Sequence, residues 1–145
     1  MGSSYMKNTV INYSLLILLF ILSLTILTQL LFPTLNYRPM PTGLCEGTLS
    51  PSKPNWVSSL VQSSNSHHIA PLQGNTLALI ASHLKKAQIV DLNTSRLIAY
   101  RQSPLLSFTD WICIKSNGDV ISSATLGYYD FGKNRQWVEA IRANS

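Results

Sequence analysis

The sequence has few charged residues, few acidic residues in particular, and only two cysteines. Charged residues make up 12% of its 145 positions, about half the share in ordinary globular domains. Glu46 and Glu139 are its only glutamates, which leaves little material for the paired carboxylates of acid–base catalysis. The net charge of +5 is spread along the chain rather than clustered, and this distribution disfavours a nucleic-acid-binding surface.

One long stretch has no charge at all. No charged residue occurs between Lys7 and Arg38, and residues 10–32 form an almost uninterrupted apolar run. A helix that crosses a bilayer needs about 20 mostly apolar residues. The run is longer than the apolar region of a cleaved signal peptide, and no small-residue cleavage site follows it. The pattern predicts a short tail at residues 1–9 and one transmembrane anchor at residues 10–35.

Basic residues flank both ends of the apolar run, so the positive-inside rule alone does not set its orientation. A very short tail before a long apolar segment favours a tail that stays inside. We therefore predict a single-pass protein of the inner (cytoplasmic) membrane, with its soluble domain on the periplasmic side. The predicted partners are the lipid bilayer and another envelope protein, without nucleic acid.

The remaining residues indicate a linker followed by one domain. Residues 36–54 contain four prolines and two glycines, which predicts an extended tether or a coil wrapped on the domain. Apolar residues at helical spacing predict a helix over residues 75–86, capped by Asn75 or Thr76, and a second helix over residues 133–144.

Four strands are predicted between these helices, because apolar residues alternate in short runs. The runs are residues 88–92, 96–101, 107–115 and 120–126. Asn117-Gly118 predicts a type I′ hairpin between the last two. We therefore expect an α+β fold: a single N-terminal transmembrane helix, then a two-layer domain at residues 55–145 with an antiparallel four-stranded sheet and two helices.

The two cysteines leave their redox state open. Cys113 lies in an apolar strand pattern, which favours a buried free thiol, and Cys45 lies in the linker. A disulfide between them is the alternative, since an exported domain permits one.

Four stretches of the domain form a recognisable pattern. They read NWVSS at residues 55–59, HHIAPL at 67–72, FTD at 108–110 and GYYDFGKNR at 127–135. Together they resemble the family catalogued as domain of unknown function 1499, over about residues 45–145. The resemblance implies a bacterial envelope protein or a plant protein, with no established activity.

The chain departs from that family pattern at three points. Trp56 stands where the family tends to have a cysteine, so Cys45 loses the partner that the resemblance would imply. Trp111 follows Asp110 where the family has paired aspartates. Residues 122–126 read SSATL in place of an arginine-rich stretch, so the resemblance carries over no function that requires those arginines.

The loop from Gly127 to Arg135 is the best candidate site. Free N–H groups at the start of the last helix suit an anion, and Asn134 and Arg135 can present further donors there. A structural interpretation competes with this one. In it, Asp130 caps the helix, Asn134 fixes the loop and Arg135 pairs with Asp110.

The full candidate cluster is His67, Asp110, Asp130, Asn134 and Arg135. His67 and the adjacent His68 point in different directions on an extended chain, and no Cys, Asp or Glu follows at the spacing of zinc ligands. We therefore predict no metal and no cofactor. No G-x-S-x-G motif is present to indicate a serine nucleophile.

The leading hypothesis is a membrane-anchored envelope protein with a non-catalytic interaction or complex-accessory domain. The alternative is a small-ligand-binding protein or a hydrolase-like enzyme that uses Asp110, Asp130, Asn134 and Arg135. A third hypothesis is binding to a lipid surface through three basic residues, namely Lys85, Lys86 and Arg96.

Overall fold

The computed structural model describes residues 2–31, 37–74, 76–84, 86–104 and 106–144. Over these ranges the chain forms three helices, α1 (Gly2–Leu31), α2 (Leu77–His83) and α3 (Lys133–Ala143). It also forms five strands, β1 (Trp56–Ser58), β2 (Ala87–Leu92), β3 (Arg96–Gln102), β4 (Thr109–Lys115) and β5 (Val120–Ala124). Two residues named in the sequence-based predictions, Asn75 and Lys85, lie outside the described residues, as do residues 32–36 of the predicted anchor and linker.

The strands of the described chain form one antiparallel sheet in the order β1-β5-β4-β3-β2. The domain is α+β with an antiparallel sheet and two helices, as predicted, but the prediction of four strands is wrong because the sheet has five. The additional strand, β1, has three residues, which are too few to display alternation in the sequence. It forms because it pairs with β5, with Trp56 opposite Ser123. A pairing between residues so far apart in the chain leaves no local pattern.

A tight turn connects β4 to β5. Gly118 N–H donates to Lys115 O at 2.9 Å, and Lys115 N–H donates to Asp119 O at 2.8 Å, so the predicted hairpin is confirmed. The predicted type I′ turn is wrong, because it requires positive φ at both Asn117 and Gly118. Of these two residues, only Gly118 has positive φ, at 91°. A Cβ there would lie 2.0 Å from Leu72 O, so glycine also permits a close approach of two backbone segments.

The larger hydrophobic core lies where helices α2 and α3 pack on the sheet. The Thr76 side chain caps α2 by accepting a hydrogen bond from Leu79 N–H. Helix α3 buries Trp137, Val138 and Ile141, as its apolar spacing predicts. The strands contribute mainly Leu97, Ala99, Ile112, Ile114 and Val120.

A second, smaller core covers the opposite face of the sheet. Leu44 and Cys45 pack there among side chains of β3, β4 and β5. Cys45 is bonded to Cys113 of β4, with the two Cα atoms 5.4 Å apart, so the expectation of a free thiol at Cys113 is wrong. The alternation that places Cys113 inside the domain is correct. Its partner, Cys45, lies in a segment whose sequence predicts neither a strand nor a helix, so local patterns do not reveal the disulfide.

Helix α1 begins at Gly2 and ends at Leu31. Ser23, Thr25 and Thr28 each donate a side-chain hydrogen bond of 2.8 Å to a carbonyl oxygen one turn earlier. In the part of the chain that the structure describes, no helix is both long and apolar enough to cross a membrane. The transmembrane helix of the predicted fold is corrected accordingly.

Candidate functional site

The five residues of the predicted cluster do not share one cavity. His67, Asp130 and Arg135 border a pocket of about 220 Å³. Asp110 borders a different cleft, of about 570 Å³. Asn134 is fully buried, with 0% of its surface exposed. Asp110 is therefore separated from the other four residues of the predicted cluster.

Asp130 fixes the start of α3. Its Oδ1 accepts a hydrogen bond from Gly132 N–H at 3.0 Å. Its Oδ2 accepts from the backbone N–H of Asn134 at 2.9 Å and from the side-chain Nδ2 of Asn134 at 2.8 Å. The first N–H groups of a helix have no partner within the helix, and a carboxylate there also complements the helix dipole. The capping role of Asp130 is therefore seen directly.

The Asn134 side chain joins three segments from inside the domain. Its Nδ2 also donates to Asn55 O at 3.1 Å, and its Oδ1 accepts from Ser122 Oγ at 2.6 Å. Asn55 in turn donates from Nδ2 to Gly127 O at 3.0 Å. Both amide hydrogens and the amide oxygen of Asn134 are thus engaged, and a satisfied buried network of this kind makes its surroundings rigid.

Arg135 does not pair with Asp110, and the structural interpretation is wrong on this point. Its Nη2 donates to Ser66 O at 3.1 Å and to His68 O at 2.8 Å. Arg135 therefore holds the polar loop before Ile69 against the start of α3, because its planar guanidinium bonds two carbonyl oxygens at once.

His67 is held in a fixed orientation by Trp56. The two rings stack with centroids 3.9 Å apart and planes 2° apart, and His67 Nδ1 lies 3.0 Å from Trp56 O. His68 turns elsewhere, with its Nδ1 3.0 Å from Val61 O. Within the described ranges, no three His, Cys, Asp or Glu side chains come together as metal ligands.

Asp110 pairs with Arg101, a residue that the sequence reasoning missed. Asp110 Oδ2 accepts from both Nε and Nη2 of Arg101 at 3.3 Å. The register of β3 and β4 places Arg101 directly opposite Asp110, and this cross-strand pair is not visible in the local sequence pattern. Arg101 also lies over the Trp137 ring, 4.4 Å from its centroid.

Burial shapes the acid–base properties of this pair. It raises the pKa of the Asp110 carboxyl above its ordinary value, and the Arg101 guanidinium opposes that rise. Burial likewise lowers the pKa of Arg101, against the effect of Asp110. The pair is therefore a partly desolvated ion pair at the edge of the larger cleft.

The loop before α3 carries an exposed aromatic group that the sequence reasoning also overlooked. We define the aromatic loop as Tyr128, Tyr129 and Phe131, which are 67%, 57% and 79% exposed. Tyr129 and Phe131 meet edge to face at 5.4 Å. Phe131 has φ of 54°, a left-handed conformation that is uncommon for a bulky side chain. The clustering of three aromatic residues in GYYDFG was the available signal.

A family model described as protein of unknown function (DUF1499) matches residues 48–144. The chain belongs to this family. Comparison with curated proteins and with solved structures found no match.

The DUF1499 segment contains the whole sheet, α2 and α3, and thus every residue of the candidate cluster. It begins after Cys45, so the disulfide ties the flanking segment to the DUF1499 domain. Trp56 Nε1 donates to Ser50 O at 2.9 Å. This bond holds Ser50, which lies inside the matched segment, against the start of β1.

Proposed function

We propose that this chain is a non-catalytic interaction domain that binds another protein through the aromatic loop, in an oxidising compartment outside the cytoplasm. The observation that supports binding is the exposure of Tyr128, Tyr129 and Phe131 on a loop whose base is buried and fully hydrogen-bonded. Neighbouring exposed aromatic side chains of this size mark interaction sites on soluble domains.

The rigid base is what makes the loop suited to recognition. Asp130 lies between Tyr129 and Phe131 in the chain, and its carboxylate is fixed by three hydrogen bonds from the start of α3. The backbone that carries the aromatic rings is consequently held in place before a partner binds. A preorganised surface loses less conformational entropy on binding than a mobile one.

The residues of the loop are also the types that dominate binding energy. Tyrosine and other aromatic side chains supply large contact areas and are enriched at the centres of protein interfaces. The left-handed φ of Phe131 adds to this argument, because strained conformations persist at sites where function requires them. A partner with an apolar pocket is the chemistry that fits these rings.

The hydrogen bonds of Asp130 and Asn134 favour a non-catalytic role. Each polar atom of the Asn134 side chain has a protein partner, so these two residues act as supports of the loop. A general acid or base instead needs a group that can reach the substrate.

The compartment is inferred from the cysteines. Cys45 and Cys113 are the only two in the chain, and they are bonded to each other. Structural disulfides persist in oxidising compartments such as the bacterial periplasm and are rare in the cytosol. This supports placement in the cell envelope.

Crosslinking followed by co-purification of the full-length protein from its native cells tests the proposal. The test variant is Tyr128→Ser/Tyr129→Ser/Phe131→Ser. The matched control is Ile89→Ser/Val90→Ser/Leu92→Ser, which removes three exposed apolar side chains from β2. A partner that is captured by wild type and control but lost with the loop variant supports docking. Equal capture by all three proteins contradicts it.

A further inference from the structure

The larger cleft has the size of a small-molecule site. Its volume is about 570 Å³, within the range of about 300–1,000 Å³ found for ligand pockets. It lies between the end of α2, the adjoining ends of β3 and β4, and one side of α3. The aromatic loop does not border it, so a ligand here is independent of the docking proposed above.

The floor of the cleft is apolar. Leu84, Trp137 and Ile141 line it, and each belongs to the larger core with less than a tenth of its surface exposed. The Arg101 guanidinium stacks on the Trp137 ring and donates from Nη2 to Lys133 O at 2.9 Å. These contacts fix the positions of Trp137 and Arg101, so a ligand body can pack beside them without reorganising the protein.

The rim of the cleft is positively charged. Three basic residues line it, Lys86, Arg101 and Lys133, against one carboxylate, Asp110. The Asp110 carboxylate is engaged by Arg101. Of the ion pairs formed between described residues, none includes either lysine. Lys133 Nζ instead lies 3.4 Å from the neutral Gln136 Oε1. Two ammonium groups thus remain without a carboxylate partner beside an apolar floor.

We propose that this cleft binds a small organic anion with an apolar body, such as a medium-chain carboxylate or alkyl phosphate. The anionic group meets the ammonium groups of Lys86 and Lys133, and the chain covers Trp137 and Ile141. A purely apolar ligand would leave the lysines uncompensated, and a purely ionic one would leave the floor in contact with water.

Isothermal titration calorimetry on the full-length chain tests the assignment with five probes. Decanoate and decyl phosphate carry both features, decanol lacks the charge, decyltrimethylammonium reverses it, and inorganic phosphate lacks the chain. Each decyl probe is used below its micelle concentration. The expected result is saturable binding of decanoate and decyl phosphate. The other three probes should bind at least about tenfold more weakly.

Charge-reversal variants locate the binding site. Lys86→Glu/Lys133→Glu should weaken decanoate by about tenfold, since exposed ion pairs contribute modestly and both are reversed. Lys53→Glu/Lys115→Glu makes the same change in net charge elsewhere and should leave the affinity unchanged. Equal weakening by the two pairs would show general attraction to a basic protein and overturn the site.

A cleft-filling variant tests the floor without changing charge. Ala140→Trp places an indole where Ala140 lines the cleft, whereas Ala143→Trp adds the same group farther along α3. Loss of decanoate binding with Ala140→Trp alone is expected. Retained binding in a folded Ala140→Trp protein, checked by its thermal unfolding, or binding of decanol as tight as decanoate would overturn the proposal.

Discussion

Asp130 Oδ2 accepts two hydrogen bonds from the same residue, one from the backbone N–H of Asn134 and one from its side-chain amide, at 2.9 and 2.8 Å. These two hydrogen bonds, between residues four positions apart, couple the loop to the helix. Because Asn134 also bonds Asn55 and Ser122, the coupling extends to the residue before the edge strand β1 and to its neighbour β5. The pair explains why a loop with exposed aromatic rings has a defined shape.

Replacement of Asn134 by alanine should destabilise the domain. The change leaves Asn55 O and Ser122 Oγ without this partner in a buried site, which costs about 2–3 kcal/mol. Urea unfolding followed by circular dichroism measures the loss. Gln136→Ala, an exposed position on the same helix, serves as control and should cost well under 1 kcal/mol. Equal losses for the two variants would show that the buried network contributes no stability.

Loss of the disulfide should also destabilise the domain, through a different mechanism. The bond joins cysteines 68 residues apart, and closing a loop of that length restricts the unfolded chain. Cys45→Ser/Cys113→Ser should lower the free energy of unfolding by about 2–4 kcal/mol. A reducing agent should lower the stability of wild type toward that of the variant and leave the variant unchanged. A wild-type stability that does not respond to complete reduction would contradict the assigned role.

The raised pKa of Asp110 predicts how the free energy of unfolding changes with pH. Burial raises the pKa of the folded state above the ordinary value of 3.8, so the native protein binds more protons than the unfolded chain between these two values. Stability contributed by Asp110 is therefore full below 3.8 and falls as the pH rises through the raised pKa. The measurement is the free energy of unfolding of wild type minus that of Asp110→Asn, taken across this window.

A carbon-13 NMR titration of the Asp110 carboxyl gives the same quantity directly. The midpoint should lie above 3.8, and Arg101→Met should raise it further by removing the opposing positive charge. A midpoint below the ordinary value would show that the ion pair outweighs burial.

Substitution of Phe131 should separate stability from binding. Glycine adopts left-handed φ freely, so Phe131→Gly relieves a strain of about 1 kcal/mol and should raise the midpoint of thermal unfolding. The same variant should lose partner capture, because it lacks the most exposed ring. Tyr128→Gly, at a residue without positive φ, should instead lower stability. If Phe131→Gly is destabilised like Tyr128→Gly, the strain is not real.

The sequence predicted elements with strong local patterns and missed what depends on distant partners. Alternation identified β3, β4 and β5 and the hairpin at Asn117, and helical spacing identified α3 with its buried face. Strand β1, the Cys45–Cys113 bond and the pairing of Arg101 with Asp110 all arise from register or tertiary approach. Composition alone identified the apolar N-terminal run but did not establish a membrane crossing.

The candidate cluster was likewise predictable in part. Asp130 and Asn134 act as the capping and loop-fixing residues that their spacing from the helix start indicates. Arg135 bonds Ser66 O and His68 O instead of Asp110. The sequence around Arg135 does not indicate that the loop before Ile69 packs against it, so this contact was not predicted. Exposure cannot be read from residue type, and the aromatic rings at residues 128–131 were therefore not recognised as a surface.

Site-specific photocrosslinking in native cells tests directly whether the aromatic loop contacts another protein. A benzophenone side chain replaces Phe131 in the full-length protein, and in a matched control it replaces Val90, an exposed apolar residue of β2. Docking through the aromatic loop predicts one discrete crosslinked product with another protein from position 131 and none of that size from position 90. No product from position 131, or the same products from both positions, would contradict a docking role for the aromatic loop.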